Sequence, residues 1–255
     1  MKISATVITY NEEHNIAEAL ESLSWADEII VVDSESSDNT VAIARRFTDK
    51  VLVRPWPGYS AQKNFAAGQA TSDWIFSLDA DERVSPELVS EIVGLKAGDS
   101  PESAGFEIPR LTNYLGRWIK HSGWYPDRKL RLYDRRRGRW SGDYVHETME
   151  VDGKVGRLNG KLLHYTVRNS SEHHERIDRY TTLAAKQAFD QGRRASVLSL
   201  LVVPRLVFAR SYFLKLGFLD GWQGMAIARF AEYYAFLKAA KLLELQRKSD
   251  GRNSR

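Results

Sequence analysis

Short apolar runs alternate with helical periodicity over the first ninety residues. Residues 3–9 (ISATVIT) form a β-branched run that predicts a strand, and Asn11 is placed to cap a helix with apolar positions Ile16, Leu20 and Leu23. Residues 28–32 (EIIVV) hold a continuous apolar run from Ile29 to Val32, as in a strand buried on both faces. Asp38 or Asn39 can cap the next helix, TVAIARRF; residues 51–53 predict a strand and 60–69 a third helix. Residues 73–78 (DWIFSL) predict a fourth strand that ends on Asp79-Ala80-Asp81-Glu82. Ser85-Pro86 then opens a helix, with serine at the N-cap and proline at the first helical position.

Strand and helix alternating at this spacing predict a parallel α/β sheet with helices on both faces. Ligands in such sheets sit beyond the carboxyl ends of the strands. The polar clusters Thr9-Tyr10-Asn11-Glu12, Asp33-Ser34-Glu35-Ser36 and Asp79-Ala80-Asp81 all fall at such ends, which predicts one shared site. After about residue 104 the period changes to two, over 104–109, 129–133, 144–151 and 161–167, with Asp152-Gly153 suited to a tight reversal. Residues 172–191 read as an amphipathic helix.

Composition narrows the class. With 255 residues, 43% hydrophobic and 27% charged, the chain suits one large domain with or without an appendage, and not a disordered chain. The absence of cysteine excludes a disulfide scaffold, a Cys-ligated metal and cysteine catalysis, and is compatible with a cytosolic address. The opening segment MKISATVITYNEEHN has too short an apolar stretch and too early a Glu pair for a signal peptide, so the chain is expected to stay inside the cell. From Arg193 onward twelve Lys/Arg face four Asp/Glu, a net of +8 that leaves −4 on the rest. An acidic body with a basic tail is not the pattern of a nucleic-acid binder.

Asp79 and Asp81 can point into one pocket, where their repulsion calls for a cation. Oxygen ligands of this kind suit Mg²⁺ or Mn²⁺ with a diphosphate in the remaining positions; the plain alternative is a polar loop of capping acids. Asp33 can accept from a base or sugar hydroxyl, or simply cap its loop. No glycine lies between Met1 and Pro57, so the first strand–helix turn lacks the dinucleotide fingerprint, and a phosphate-binding loop motif is also absent.

The segments VITYNEE at 7–13, VVDSESSDNT at 31–40, QKNFA at 62–66 and LDADE at 78–82 resemble the family 2 glycosyltransferases in kind, order and spacing. That resemblance implies the GT-A fold: a Rossmann-like mixed α/β sheet with helices on both faces, here followed by C-terminal amphipathic helices. It also implies a nucleotide-diphosphate sugar donor, with UDP the expected nucleotide. On this resemblance Thr9, Tyr10, Asn11, Glu12 and Asp33 would hold the nucleobase and ribose, and Lys63 would lie near the nucleotide. Asp79 and Ala80 would flank the ribose or metal-bound water, and Asp81 would bind a divalent cation, Mg²⁺ or Mn²⁺. The common D-D-G-S loop reads Asp33-Ser34-Glu35-Ser36 here, a departure in the base-binding segment. The later runs SGWYPDRKLRLY (122–133) and WSGDYVHE (140–147) resemble a branch that includes bacterial lipopolysaccharide core glucosyltransferases. The expected reaction is inverting transfer of a hexose, glucose from UDP-glucose first, onto a core or related envelope glycan or glycolipid, giving a β-linkage.

Such a transfer needs a carboxylate to take the acceptor proton. Glu147 is the first candidate and Asp143 the second, with Asp127 also in range; each could equally be a surface acid. The resemblance also implies a late histidine on the metal, as in some GT-A enzymes, and makes His164, in KLLHYT, the candidate, against a purely structural role. Residues 128–139 (RKLRLYDRRRGR) hold seven basic side chains that suit an anionic glycan acceptor. Trp118, Trp124, Tyr125 and Trp140 could stack on sugars or fill a core.

The predicted organisation is a catalytic domain over 1–192, its nucleotide half at 1–100 and acceptor half at 101–192, and a basic, apolar helical appendage over 193–255. The apolar run 197–209 is too short to span a bilayer. With 212–219 and 222–243 it predicts helices packed on the body or lying at the cytoplasmic face of the inner membrane as a peripheral attachment. Two other readings remain: transfer to a polyprenyl phosphate, and a nucleotide- or glycan-binding protein with a degenerate site.

Overall fold

A computed structural model of the chain describes residues 1–98, 101–142 and 147–252. They form two compact units, one of Met1–Leu111 with Pro126–Tyr165, the other of Thr112–Tyr125 with Thr166–Arg255. The helical unit therefore begins well before residue 193, where the charge shift suggested a boundary.

In the first unit the alternation read from sequence becomes β1 (Ile3–Thr9), α1 (Ile16–Glu21), β2 (Glu28–Asp33), α2 (Thr40–Ala44), β3 (Val51–Val53), α3 (Tyr59–Gly68) and β4 (Trp74–Asp79). Strands β3, β2, β1 and β4 lie side by side and parallel. Their apolar residues split by parity between two cores. Ile3, Ala5, Val7, Val31, Phe76 and Leu78 meet Ile16 and Leu20 of α1, while Ile30, Val32 and Ile75 meet Ala66 and Ala67 of α3. Ser85 caps α4 (Pro86–Ala97) by accepting from the Leu88 amide, as the Ser-Pro signal predicts.

Asn11 does not cap α1. That helix starts five residues later, and Asn11 takes a left-handed turn at φ 52° whose side-chain carbonyl accepts from the Ser37 amide. The short polar side chain tolerates this conformation and ties the loop after β1 to the loop after β2.

Glu82–Val84, which reads as loop, is strand β5. The rest of the sheet comes from β6 (Gly105–Tyr114), β7 (Arg117–Ile119), β8 (Asp127–Asp134), β11 (Val155–Arg157) and β12 (Leu162–Val167), in the order β3-β2-β1-β4-β8-β6-β12-β5 with β7 and β11 beside β6. Only Ala80 and Asp81 join β4, mid-sheet, to β5 at the end of that order, so the intervening strands must curl back around the acidic loop. Strands β9 (Gly138–Ser141) and β10 (Thr148–Val151) pair as a separate hairpin. Gly153 does turn at φ 128°, yet the chain leaves it for a parallel pairing with β6 rather than a hairpin with β10.

In the second unit β7 folds back on the end of β6, and α5 (Ser170–Asp190), α6 (Val197–Ala209) and α7 (Gly221–Arg252) follow. Asn169 caps α5, and Ser196 with Ser199 forms a reciprocal capping pair on α6. Lys241 of α7 reaches Asp178 (2.7 Å) and the hydroxyls of Thr181 (2.9 Å) and Thr182 (2.8 Å) on α5. His173 lies against the Phe230 ring at 4.1 Å, its Nδ1 2.8 Å from the Tyr114 hydroxyl. Burial, with Arg176 adding to it, pushes His173 down to about 4, and burial pushes Tyr114 up to about 12.

The apolar run at 197–209 does not stop at thirteen residues. A π-helical turn, Arg210–Leu214, extends it to Val197–Leu214, which by length and composition is long enough to cross a membrane, with 11% of it buried.

Candidate active site

Parallel register brings the three polar clusters together. Thr9 lies opposite Asp33 and Ile8 opposite Asp79, so the ends of β1, β2 and β4 share one edge of the sheet. Asp33 is fully buried and accepts from the Ser36 amide at 2.8 Å and the Ser36 hydroxyl at 2.5 Å. Glu12 donates its amide to Thr40 Oγ1 (2.8 Å), and Asn11 donates its amide to Ser36 Oγ (2.8 Å), which completes the stitching of the two loops. Tyr10 is 59% exposed beside them. Thr9 Oγ1 and Gln62 Oε1 are buried with no hydrogen-bond partner, although Gln62 Nε2 donates to Ser34. Two orphaned acceptors beside Asp33 are what a hydrogen-bonding ligand would satisfy.

Asp79 is not waiting for an external cation. Its Oδ1 is 3.0 Å from Lys63 Nζ and its Oδ2 is 2.5 Å from Arg131 Nη2. Burial alone would raise its pKa, but Arg131 and then Lys63 outweigh it and hold the carboxyl well below the usual range. Arg131, itself raised by Asp79 and Glu82 against its burial, also donates to Glu82 at 2.8 Å. The fully buried Glu82 in turn takes Arg110 at 3.3 Å, and Arg110 grips Asp127 at 2.6 Å. Opposite charges thus alternate from Glu147 through Lys63, Asp79, Arg131, Glu82 and Arg110 to Asp127. Asp127 is held by Arg110 and Lys129, which lower it despite burial, and is a poor proton acceptor.

Glu147 does reach the site: its Oε1 lies 3.2 Å from Lys63 Nζ, the ammonium that also holds Asp79. Lys63 is almost fully buried, with its Nζ 4.4 Å from the centroid of the Trp140 ring. The β9 strand is locked to α3 by a two-way clamp, Asn64 donating to the Trp140 carbonyl at 2.8 Å and accepting from its amide at 3.0 Å. Asp143 and His146 lie outside the described residues.

Asp81, two residues from Asp79, meets a different partner. Pairing of β5 with β12 sets His164 opposite Glu82, the Tyr165 amide donates to the Asp81 carbonyl at 2.9 Å, and His164 Nε2 stands 3.2 Å from Asp81 Oδ2. The carboxylate oxygen suits Mg²⁺ or Mn²⁺, and the imidazole nitrogen favours Mn²⁺, the softer of the two. Among the described residues no group of three such side chains could hold a metal unaided. The pair fits a cation whose other ligands come with the substrate.

Other expectations are redirected. Arg135 donates to the carbonyls of Ala67 and Ala70, Arg136 pairs with Asp134 and Asp73, and Arg128 donates to the Leu158 carbonyl, so much of the basic stretch holds the fold rather than an acceptor. Trp140 is buried with its indole N–H donating to Tyr133, a core aromatic rather than a sugar platform. Sequence reasoning missed Arg131 and Glu82 as site residues. The sequence carries no signal that singles them out: a charged residue between Leu130 and Leu132 equally fits a strand with one solvated face.

The sequence profile of glycosyl transferase family 2 matches residues 4–150. The lipopolysaccharide core biosynthesis glycosyltransferase LpsC of Rhizobium meliloti (strain 1021) is 34% identical over 251 residues, covering 96% of this chain and 93% of that protein. An uncharacterised glycosyltransferase of Rickettsia typhi is also 34% identical, over 97% of this chain and 89% of its own. Among solved structures, the mannosyltransferase PcManGT of Pyrobaculum calidifontis, in complex with GDP-Man and Mn²⁺, superposes with a TM-score of 0.53 at 16% identity, covering 95% of this chain and 87% of that one. Staphylococcus aureus TarS 1–349 in complex with UDP-GlcNAc gives 0.50 at 17%, covering 98% and 92%.

Proposed function

Since the chain belongs to glycosyl transferase family 2, we propose that it transfers a hexose, glucose from UDP-glucose first, to a lipopolysaccharide core or related envelope glycan, forming a β-linkage. The observation that carries this reading is Lys63 touching both Asp79 and Glu147. It joins the donor-side strand end to a carboxylate brought from the second half of the unit. The likeness to LpsC over nearly the whole chain supports the acceptor class.

On this reading the loops after β1 and β2 hold the base and ribose, with Thr9 Oγ1 and Gln62 Oε1 satisfied by the nucleoside and Tyr10 against the base. Asp81 and His164 hold a divalent cation, which neutralises charge on the leaving diphosphate when bound. Lys63 and Arg131 keep Asp79 ionised and fixed, so the strand end does not reorganise as charge develops. Glu147 accepts the proton of the acceptor hydroxyl. The hydroxyl oxygen bonds to the anomeric carbon as the bond to the diphosphate oxygen breaks, and a single displacement of this kind inverts that carbon.

The test is to incubate the full chain with UDP-, GDP- and dTDP-hexoses and de-O-acylated core oligosaccharide, following nucleoside diphosphate release and the anomeric coupling of the product. A β-linked product from one donor, formed far more slowly by Glu147→Gln, is the expected result. An α-linked product, or undiminished turnover in that variant, contradicts the mechanism.

A further inference from the structure

The second unit leaves its most apolar helix uncovered. Val197, Leu198, Leu201, Val202, Val203 and Leu206 of α6 are all exposed, Leu198 at 67%. The helix is apolar on nearly every side, and Pro204 is its one buried residue. The face continues through the next turns, where Phe213, Leu214, Phe218, Leu219 and Trp222 are exposed, Leu214 at 80% and Trp222 at 63%. Side chains of this size in one contiguous stretch exceed what a soluble monomer leaves in water.

Charge indicates what covers them. Between Asp190 and Asp220 the chain has no acidic residue, while Arg193, Arg194, Arg205, Arg210 and Lys215 are basic. Apolar surface interspersed with cations, with aromatic side chains at its end, matches the boundary between headgroups and acyl chains of an anionic bilayer. A second copy of the chain would instead set like charges against each other across an isologous contact. Length alone would let Val197–Leu214 span, but α7 argues against it. Arg229 and Glu232 of α7 line a groove with Leu201, Pro204 and Arg205, so a spanning α6 would draw that ion pair into hydrocarbon.

We propose that α6 and the turns up to Trp222 form a monotopic membrane-insertion surface that lies in one leaflet of an anionic bilayer. The peripheral attachment anticipated from the basic tail thereby gains a defined surface. The inference uses only the helical unit and stands apart from the transfer chemistry.

The experiment is sedimentation of the full chain with vesicles of pure phosphatidylcholine and of equal parts phosphatidylcholine and phosphatidylglycerol. Fluorescence is followed in parallel with brominated lipids in the same vesicles. Binding to the mixed vesicles is expected, with quenching that Trp222→Phe reduces. The double variant Leu201→Glu/Leu206→Glu, at exposed positions, should weaken binding roughly a hundredfold. Arg205→Gln and Arg210→Gln should each weaken it about fivefold, and less in high salt. Nucleotide binding measured on the double variant should be unchanged, which separates this inference from the catalytic one. No binding to mixed vesicles at low salt would overturn it. So would light scattering that shows an oligomer dissociated by the double variant.

Discussion

The two units invert the usual arrangement of polar and apolar residues in opposite ways. The sheet unit buries charge: Lys63, Arg131 and Glu82 are all within a few per cent of complete burial and tied to one another through Asp79. The helical unit exposes oil, with an 18-residue apolar helix of which 11% is buried. Each inversion is costly in an isolated globule. The first is offset by exact pairing inside the chain, since every charge in the string meets an opposite one. The second has no such internal partner among the described residues and so points outward, to a surface that is not water. Departures from the inside-out rule thus mark where function acts, and whether the departure is internally balanced separates a site built for a small polar ligand from a docking surface.

Removing one member of the buried string should have the largest effect. Arg131→Met removes the cation between Asp79 and Glu82, leaving them only Lys63 and Arg110 at the far sides, and should cost about 3–5 kcal/mol in denaturant unfolding and abolish nucleotide binding. A variant as stable as the wild type would show that the pairing does not hold the strand end. Glu147→Gln, at the partly exposed end of the same string, should sharpen the contrast. It is expected to lower turnover by about 10²–10⁴-fold with nucleotide affinity little changed, read from single-turnover rates and calorimetry.

Acid should separate the two units. Asp79 sits well below its ordinary value, so its stabilisation is present above the carboxylate range and is lost only as pH falls through that lowered value. His173 sits at about 4 against 6.5, so between those values the unfolded chain binds more protons and stability falls as the pH drops. Hydrogen exchange at pH 5 should therefore show the amides of α5 opening before those of β1 and β4. His173→Phe should remove much of that difference, and simultaneous opening of both units in the wild type would count against the assignment. The smallest effect expected is at Ser85, which caps α4 and also accepts from the Lys161 amide. Ser85→Ala should cost about 1 kcal/mol by thermal unfolding, without change in nucleotide binding.

Much of the sheet unit was legible in the chain. The β-branched runs at 3–9 and 51–53 and the Ser85-Pro86 signal are local, and local physics sets them. The shared strand-end site followed from parallel alternation alone, and His164 beside Asp81 was reached through the resemblance. Elements whose form depends on distant partners were not legible. Glu82–Val84 becomes a strand only because β12 arrives eighty residues later, and Asn11 abandons a capping role because Ser36 and Ser37 offer it partners across the turn. Arg131 was grouped with its basic neighbours because sequence order does not distinguish a cation sealed beneath Asp79 from those on the rim. Leu214 as the end of the apolar helix was missed because a π turn carries the helix past Arg210.

The most direct measurement is titration calorimetry of UDP, GDP and dTDP into the full chain with Mn²⁺ and with EDTA, on wild type, Asp81→Asn and His164→Ala. The account predicts that one nucleotide binds with Mn²⁺, that EDTA removes the binding, and that both variants weaken it. Equal binding in EDTA, or full affinity in both variants, would contradict the assignment of Asp81 and His164 to a cation shared with the donor diphosphate.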